Sequence, residues 1–215
     1  MNPVPLFLII VTLPLLLGGC GEESGGGLSA EEVEDRDGIA YFKGSDIPFT
    51  GKVFGLYPNG QKEYETVFLM GEENGKDTAW YADGSKKEEG NWMNGKRDGI
   101  WVKWFQNGQK RMQGHFKDGK EDGLQTRWYE SGQKKDEVNG KDGKLDGLWS
   151  EWYENGKKKL ETTYKDGKKD GFATVWHSNG QKQGELNYMD GEKISEKWWN
   201  SKGQPVATAE DSIAE

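Results

Sequence analysis

A glycine recurs every 24 residues along most of this chain: Gly60, Gly84, Gly108, Gly132, Gly156 and Gly180, with Gly203 following after 23. A second series, Gly71, Gly95, Gly119, Gly143, Gly167 and Gly191, keeps the same interval. A fixed period of this size marks a repeat architecture, in which each unit packs mainly on its neighbours and the chain builds one elongated body. The stretch from Asp146 to Lys169, DGLWSEWYENGKKKLETTYKDGKK, is a complete copy.

Aligned on the first glycine series, the repeats begin at Thr50, Asn74, Asp98, Asp122, Asp146 and Asp170. Their tenth and eleventh positions read Asn59-Gly60, Asp83-Gly84, Asn107-Gly108, Ser131-Gly132, Asn155-Gly156 and Asn179-Gly180. Asn-Gly and Asp-Gly between apolar-bearing runs predict a hairpin with a two-residue type I′ turn, whose central residues both need positive φ. The second turn, as in KDGKKDG at 165–171, predicts a longer connection carrying two Asp-Gly pairs. Turn signals at such short intervals, and 32 glycines in 215 residues, disfavour helix throughout. The expectation is an all-β, elongated array of about six 24-residue antiparallel β-hairpin repeats spanning residues 50–204.

Charged residues make up 31% and mean hydropathy is −0.96, values that could pass for disorder. Ten Trp, eight Tyr and eight Phe argue otherwise, because disordered chains are poor in rings. The rings fall in columns. The seventh position is Leu56, then Trp80, Trp104, Trp128, Trp152 and Trp176; the eighth is Tyr57, Tyr81, Phe105, Tyr129, Tyr153 and His177. Adjacent residues of a strand face opposite ways, so each face of the sheet should carry a row. The nineteenth position adds Phe68, Trp92, Phe116, Tyr164 and Tyr188, with Gly140 in the fourth repeat. A two-residue turn would set this ring across from the second-position glycine (Gly99, Gly147, Gly171), where it would cover the missing side chain.

These residues resemble the MORN-variant repeat of bacterial proteins, whose consensus has the form DGxWxxWYxNGQKxxExxYxDGK. The resemblance covers about 50–204 and ends in a partial copy, ISEKWWNSKGQ, with Trp199 in the tryptophan column. It implies a twisted sheet of hairpins serving as a scaffold or adaptor. Some relatives are described as toxin-neutralising partners, which implies an antitoxin or immunity-type role as one alternative.

The N-terminus reads as an address. Val4 to Leu17 is an apolar run of 14 residues, short of the about 20 needed to span a bilayer and suited to a signal peptide. It ends in Leu17-Gly18-Gly19-Cys20, which resembles the lipobox of bacterial lipoprotein precursors. That resemblance implies a signal peptide over 1–19, a lipid on Cys20 and, with Gly21 next, an outer-membrane address in a Gram-negative host. Met1-Asn2-Pro3 lacks the usual basic residue. Cys20 is the only cysteine, so no internal disulfide framework is available. Residues 20–37 are Gly-rich, then acidic, and predict a flexible tether; 38–49 predict a lead-in strand and 205–215 a disordered tail.

No motif for catalysis emerges. His115 and His177 occupy different repeat positions, and no Walker loop, Ser-centred elbow or H-x-x-x-H is present. The turn aspartates recur in every copy, as turn chemistry requires, and calcium-binding nonapeptides are absent. The expectation is a non-enzymatic chain without cofactor or metal. Net charge is −8, with lysines interspersed among acids, which leaves no electrostatic footprint for nucleic acid. Two binding readings follow. One is a lipid-anchored surface for a protein partner. The other is a glycan-binding row, in which Trp80, Trp104, Trp128, Trp152 and Trp176 with Tyr81, Phe105, Tyr129 and Tyr153 stack on sugar rings. Rings open on one side favour sugar, whereas rings covered by lysine stems favour packing.

Overall fold

The computed structural model describes residues 27–213; the signal-peptide and Cys20 readings lie outside them. A short lead-in comprises β1 (Leu28–Ser29), β2 (Val33–Arg36) and β3 (Ile39–Phe42). The repeats supply β4 (Gly51–Leu56), β5 (Lys62–Leu69), β6 (Glu72–Trp80), β7 (Lys86–Met93), β8 (Lys96–Trp104), β9 (Lys110–Lys117) and β10 (Lys120–Trp128). They continue through β11 (Lys134–Lys141), β12 (Lys144–Trp152), β13 (Lys158–Lys165), β14 (Lys168–Trp176), β15 (Lys182–Met189) and β16 (Glu192–Trp199). β17 (Pro205–Val206) and helix α1 (Ala209–Ile213) close the chain.

The strands β4 to β17 pair in chain order, each antiparallel to the next, with β1 parallel to β4 at the far edge. The result is one 15-stranded sheet, a single-layer array of hairpins as the repeat predicts. Because both faces of such a layer meet water, the buried apolar residues among those described are few: Trp101, Phe49, Ala173, Val53, Ala40, Val138 and Leu186.

Turn chemistry departs from the expected assignment in both turns. At the first, Gly60 donates its N–H to the Tyr57 carbonyl at 2.8 Å and sits at φ 82°, while Asn59 keeps negative φ. That is a type I turn followed by a left-handed glycine, the three-residue hairpin loop, and not type I′. Glu63 then drops out of the ladder, since Leu56 pairs with Lys62 but Gly55 with Tyr64. The skipped residue restores the register of a two-residue turn, so Gly99 does oppose Phe116 and Gly147 opposes Tyr164. The second turn is the two-residue type I′: Asn94 and Gly95 have φ 50° and 69°, and Met93 pairs with Lys96.

The rings nonetheless leave those glycines uncovered. Nothing lies within 4 Å of a Cβ built on Gly99, and Gly147 and Gly171 face Asn139 and Thr163. Their φ values of 78°, 110° and 100° show the reason: each forms a bulge in its strand, a backbone need and not a docking place for a ring. Rings cover other glycines. Trp101 lies on Gly90, Trp198 on Gly184 and Tyr64 on Gly55, with a built Cβ falling 2.2, 2.4 and 2.3 Å from ring atoms.

Both ends are capped where a flexible tether and a disordered tail were expected. The β2–β3 hairpin folds over the first repeat and is tied to it by Ala40 N–H to Gly71 O at 2.8 Å and Gly71 N–H to Phe49 O at 2.7 Å. Leu28, Ala30 and Val33 of the supposed tether pack against Ala40, Phe49 and Val53. At the other end, Thr208 and Asp211 cap each other's backbone N–H groups at 3.1 Å, which starts α1. Its Ser212 is 1% exposed and accepts from Gln183 at 3.0 Å. Repeat arrays need such caps, because a terminal unit has no neighbour to bury it.

Candidate functional site: two faces of the repeat sheet

Side-chain alternation gives the sheet two different faces. The first bears the seventh-position row: Trp80, Trp104, Trp128, Trp152 and Trp176, all half-buried, continued by Trp199. Each ring carries a lysine Nζ from the preceding repeat. Lys62 lies 6.0 Å from the Trp80 centroid, Lys86 5.3 Å from Trp104, Lys110 5.9 Å from Trp128, Lys134 5.2 Å from Trp152 and Lys158 5.8 Å from Trp176. The side chain three residues on pins the lysine: Lys62–Glu65 is 2.6 Å, Lys86–Glu89 2.7 Å and Lys134–Glu137 2.6 Å, while Lys110 Nζ donates to Gln113 Oε1 at 2.7 Å. Each of these tryptophans thus packs across a repeat boundary against a lysine of the preceding copy.

The eighth-position row is used internally too. Tyr57, Tyr81, Tyr129 and Tyr153 donate their hydroxyls to the backbone carbonyls of Trp80, Trp104, Trp152 and Trp176, at 2.8, 2.8, 2.9 and 2.7 Å. Phe105 has no hydroxyl to give. His177 Nε2 meets the Trp199 carbonyl at 3.0 Å in the same place. Below this row the turn asparagines bond to the next turn: Asn107 Nδ2 donates to Glu130 O at 3.0 Å and Asn155 to Ser178 O at 2.9 Å. Asp83 substitutes for asparagine. Donors from Ser85 and then Gln106 hold its carboxyl at about 2, well below the usual range.

What the first face leaves free is the third-position row, which the sequence reading passed over. Lys52 and Lys76 hold it in two repeats, then Ile100, Leu124, Leu148 and Phe172 in the next four. These four are 50%, 42%, 48% and 76% exposed. The switch from lysine to apolar residues was legible once the copies were stacked.

The opposite face carries the nineteenth-position rings together with Trp101 and Trp149. Trp92 and Trp101 meet edge-on at 5.3 Å, and Trp149 lies 5.6 Å from Tyr164. Arg97 spreads its guanidinium over Trp101 at 4.3 Å and contacts Glu88 at 3.3 Å. Beside it, burial raises the carboxyls of Glu73 and Asp77 above their ordinary range. Where Gly140 replaces a ring, a cavity of about 300 Å³ opens, lined by Met112, Glu121, Gln125, Arg127, Val138, Leu145 and Trp149. Among the described residues, no group of three or more His, Cys, Asp or Glu side chains is placed to hold a metal.

Comparison with known proteins bears on the repeat itself. Residues 97–118, 121–142 and 145–166 match the MORN repeat variant. Each match opens at the strand following a type I′ turn and closes on the next such turn, so the MORN unit and the structural hairpin coincide in period. No curated protein matches the chain.

Proposed function

We propose that this chain is a non-enzymatic protein-interaction module, a MORN-type array held at a membrane by a lipid on Cys20. The carrying observation is the row Ile100, Leu124, Leu148 and Phe172: four large apolar side chains, in register and each leaving 42–76% of its surface exposed. Aligned side chains on alternate strands stand roughly 9–10 Å apart, so the row runs across four repeats as an extended strip. Repeat arrays bind partners along such strips, and apolar surface set in a polar face marks a contact region. The lysine-covered tryptophans and carbonyl-bonded tyrosines support a protein partner over a glycan, since both rows are committed to holding repeats together.

The anchoring part rests on Leu17-Gly18-Gly19-Cys20 following a run of 14 apolar residues. Acyl chains, at about 0.8 kcal/mol per buried methylene, would keep the array at a membrane surface. An outer-membrane address belongs to this reading if the host is Gram-negative.

A photoreactive residue at Leu124 or Phe172, in the full chain in its native membranes, tests the interaction. One protein adduct of defined mass is expected, lost when Ile100 and Leu148 become serine; no discrete adduct would overturn the reading. Cys20→Ser, followed by acyl labelling and membrane fractionation, tests the anchor. Retained label or retained membrane association would remove it.

A further inference from the structure

The cavity at Gly140 has an internal counterpart that shows what it lacks. In the third repeat, Trp101 is preceded four residues earlier by Arg97, whose guanidinium lies on the indole at 4.3 Å. In the fifth repeat Trp149 occupies the same position, but the residue four earlier is Leu145, and no cation lies over the Trp149 ring among the described residues. Glu121 borders the same cavity and is exposed, and among the described residues its carboxylate has no hydrogen-bond or ion-pair partner. A Cβ built on Gly140 would fall 3.3 Å from the Glu121 Cβ, so Glu121 stands beside the vacated ring position. The other charges at the rim cancel, because Arg127 is bound to the buried Asp136 at 2.7 Å.

We infer that this cavity receives an arginine side chain from the partner protein, an inference that rests on the interaction-module reading. The stem would lie along Val138, Leu145 and Met112, with the planar guanidinium on Trp149 and its donors toward Glu121. That reproduces in trans what Arg97 does in cis over Trp101. Charge points the same way: an unpaired carboxylate at the mouth and a net charge of −8 both favour a basic partner. Residues 1–26 and 214–215 contain no Lys or Arg.

The experiment is a titration of the full chain in mild detergent, reading tryptophan indole resonances by NMR, with Trp149 assigned from Trp149→Phe. The probes are a capped Gly-Arg-Gly peptide and its citrulline counterpart, equal in shape but uncharged. A saturable shift of the Trp149 resonance with the arginine peptide alone is expected. Glu121→Gln should weaken binding by about tenfold or more, as loss of a charge-assisted contact does. Leu145→Arg, which fills the site as Arg97 fills its own, should abolish the shift while leaving the other indole resonances in place. An equal shift with citrulline, no shift at all, or unchanged affinity in Glu121→Gln would overturn the inference. Crosslinking from Leu124 on the other face is read separately. A failed titration with a persisting crosslink sinks the arginine site and leaves the interaction module standing.

Discussion

The hydroxyl of Tyr129 donates to the carbonyl oxygen of Trp152 across 2.9 Å, so a side chain in one repeat satisfies the backbone of the next. Because such an array is stabilised largely at the interfaces between neighbouring units, each of these bonds helps set its cooperativity. Tyr129→Phe should cost about 1 kcal/mol, the usual net worth of one hydrogen bond. Phe105→Tyr should recover a similar amount by reaching the Trp128 carbonyl. Denaturant midpoints of the two variants check both signs, and destabilisation by Phe105→Tyr would refute the ladder.

Glycines at Gly90 and Gly99 look alike in sequence and should fail differently. A methyl on Gly90 would fall 2.2 Å from the ring of Trp101, which is 1% exposed and cannot step aside. Gly90→Ala should therefore cost about 1–3 kcal/mol by overpacking. Trp101→Ala in the same chain should absorb that clash, so the double variant falls short of additive. Gly99→Ala meets open space, and its cost of about 1 kcal/mol comes from φ +78° alone, with no such rescue. A double-mutant cycle by chemical denaturation distinguishes the two.

Lys134 pairs with Glu137 at 2.6 Å and lies 5.2 Å from the Trp152 centroid, yet its side chain remains 41% exposed. Solvent screens both interactions, so Lys134→Met, which keeps the stem, should cost less than about 1 kcal/mol. That difference should shrink in molar salt. A large loss that ignores salt would mean the ladder holds by charge burial instead.

Asp77 and Asp83 should move stability in opposite directions with pH. Burial raises the Asp77 carboxyl, the Glu88 charge adds to it, and a hydrogen bond from Thr66 opposes. The folded state then binds more protons than the unfolded chain between the ordinary and the raised values, so stability falls as pH rises through that window. Asp77→Asn should unfold later than the parent at neutral pH, and the gain should vanish below the ordinary carboxylate range. Asp83, held at about 2, stabilises above its ordinary value, and that contribution is lost as pH falls toward about 2. Its side-chain carboxyl NMR shift should titrate there; a midpoint at the ordinary value would break the proposed turn contacts.

The hairpin array was legible because its signals are local. Glycine at a fixed interval, an Asx beside it and a ring column specify turn, period and strand without any distant contact. The register between Gly147 and Tyr164 followed from counting, although the turn type behind it did not. A type I turn plus one skipped residue shifts the pairing by the same amount as type I′. Capping at 208–211 was also written in the sequence as T-A-E-D, a reciprocal cap of a single helical turn easily lost in an acidic tail.

The sequence by itself determined the period, the all-β class, the strand pairs and the rows in which tryptophan and tyrosine stand. Only the tertiary structure decided what those rows do. Whether Trp152 is open to a ligand depends on Lys134 reaching it from another strand, and whether Tyr129 is free depends on a carbonyl 23 residues away. The cavity at Gly140 likewise requires four strands, with Met112, Glu121, Val138 and Trp149 brought to one face. Backbone conformation is fixed by neighbours a few bonds apart, but exposure is set by residues that meet only after twist and register place them together.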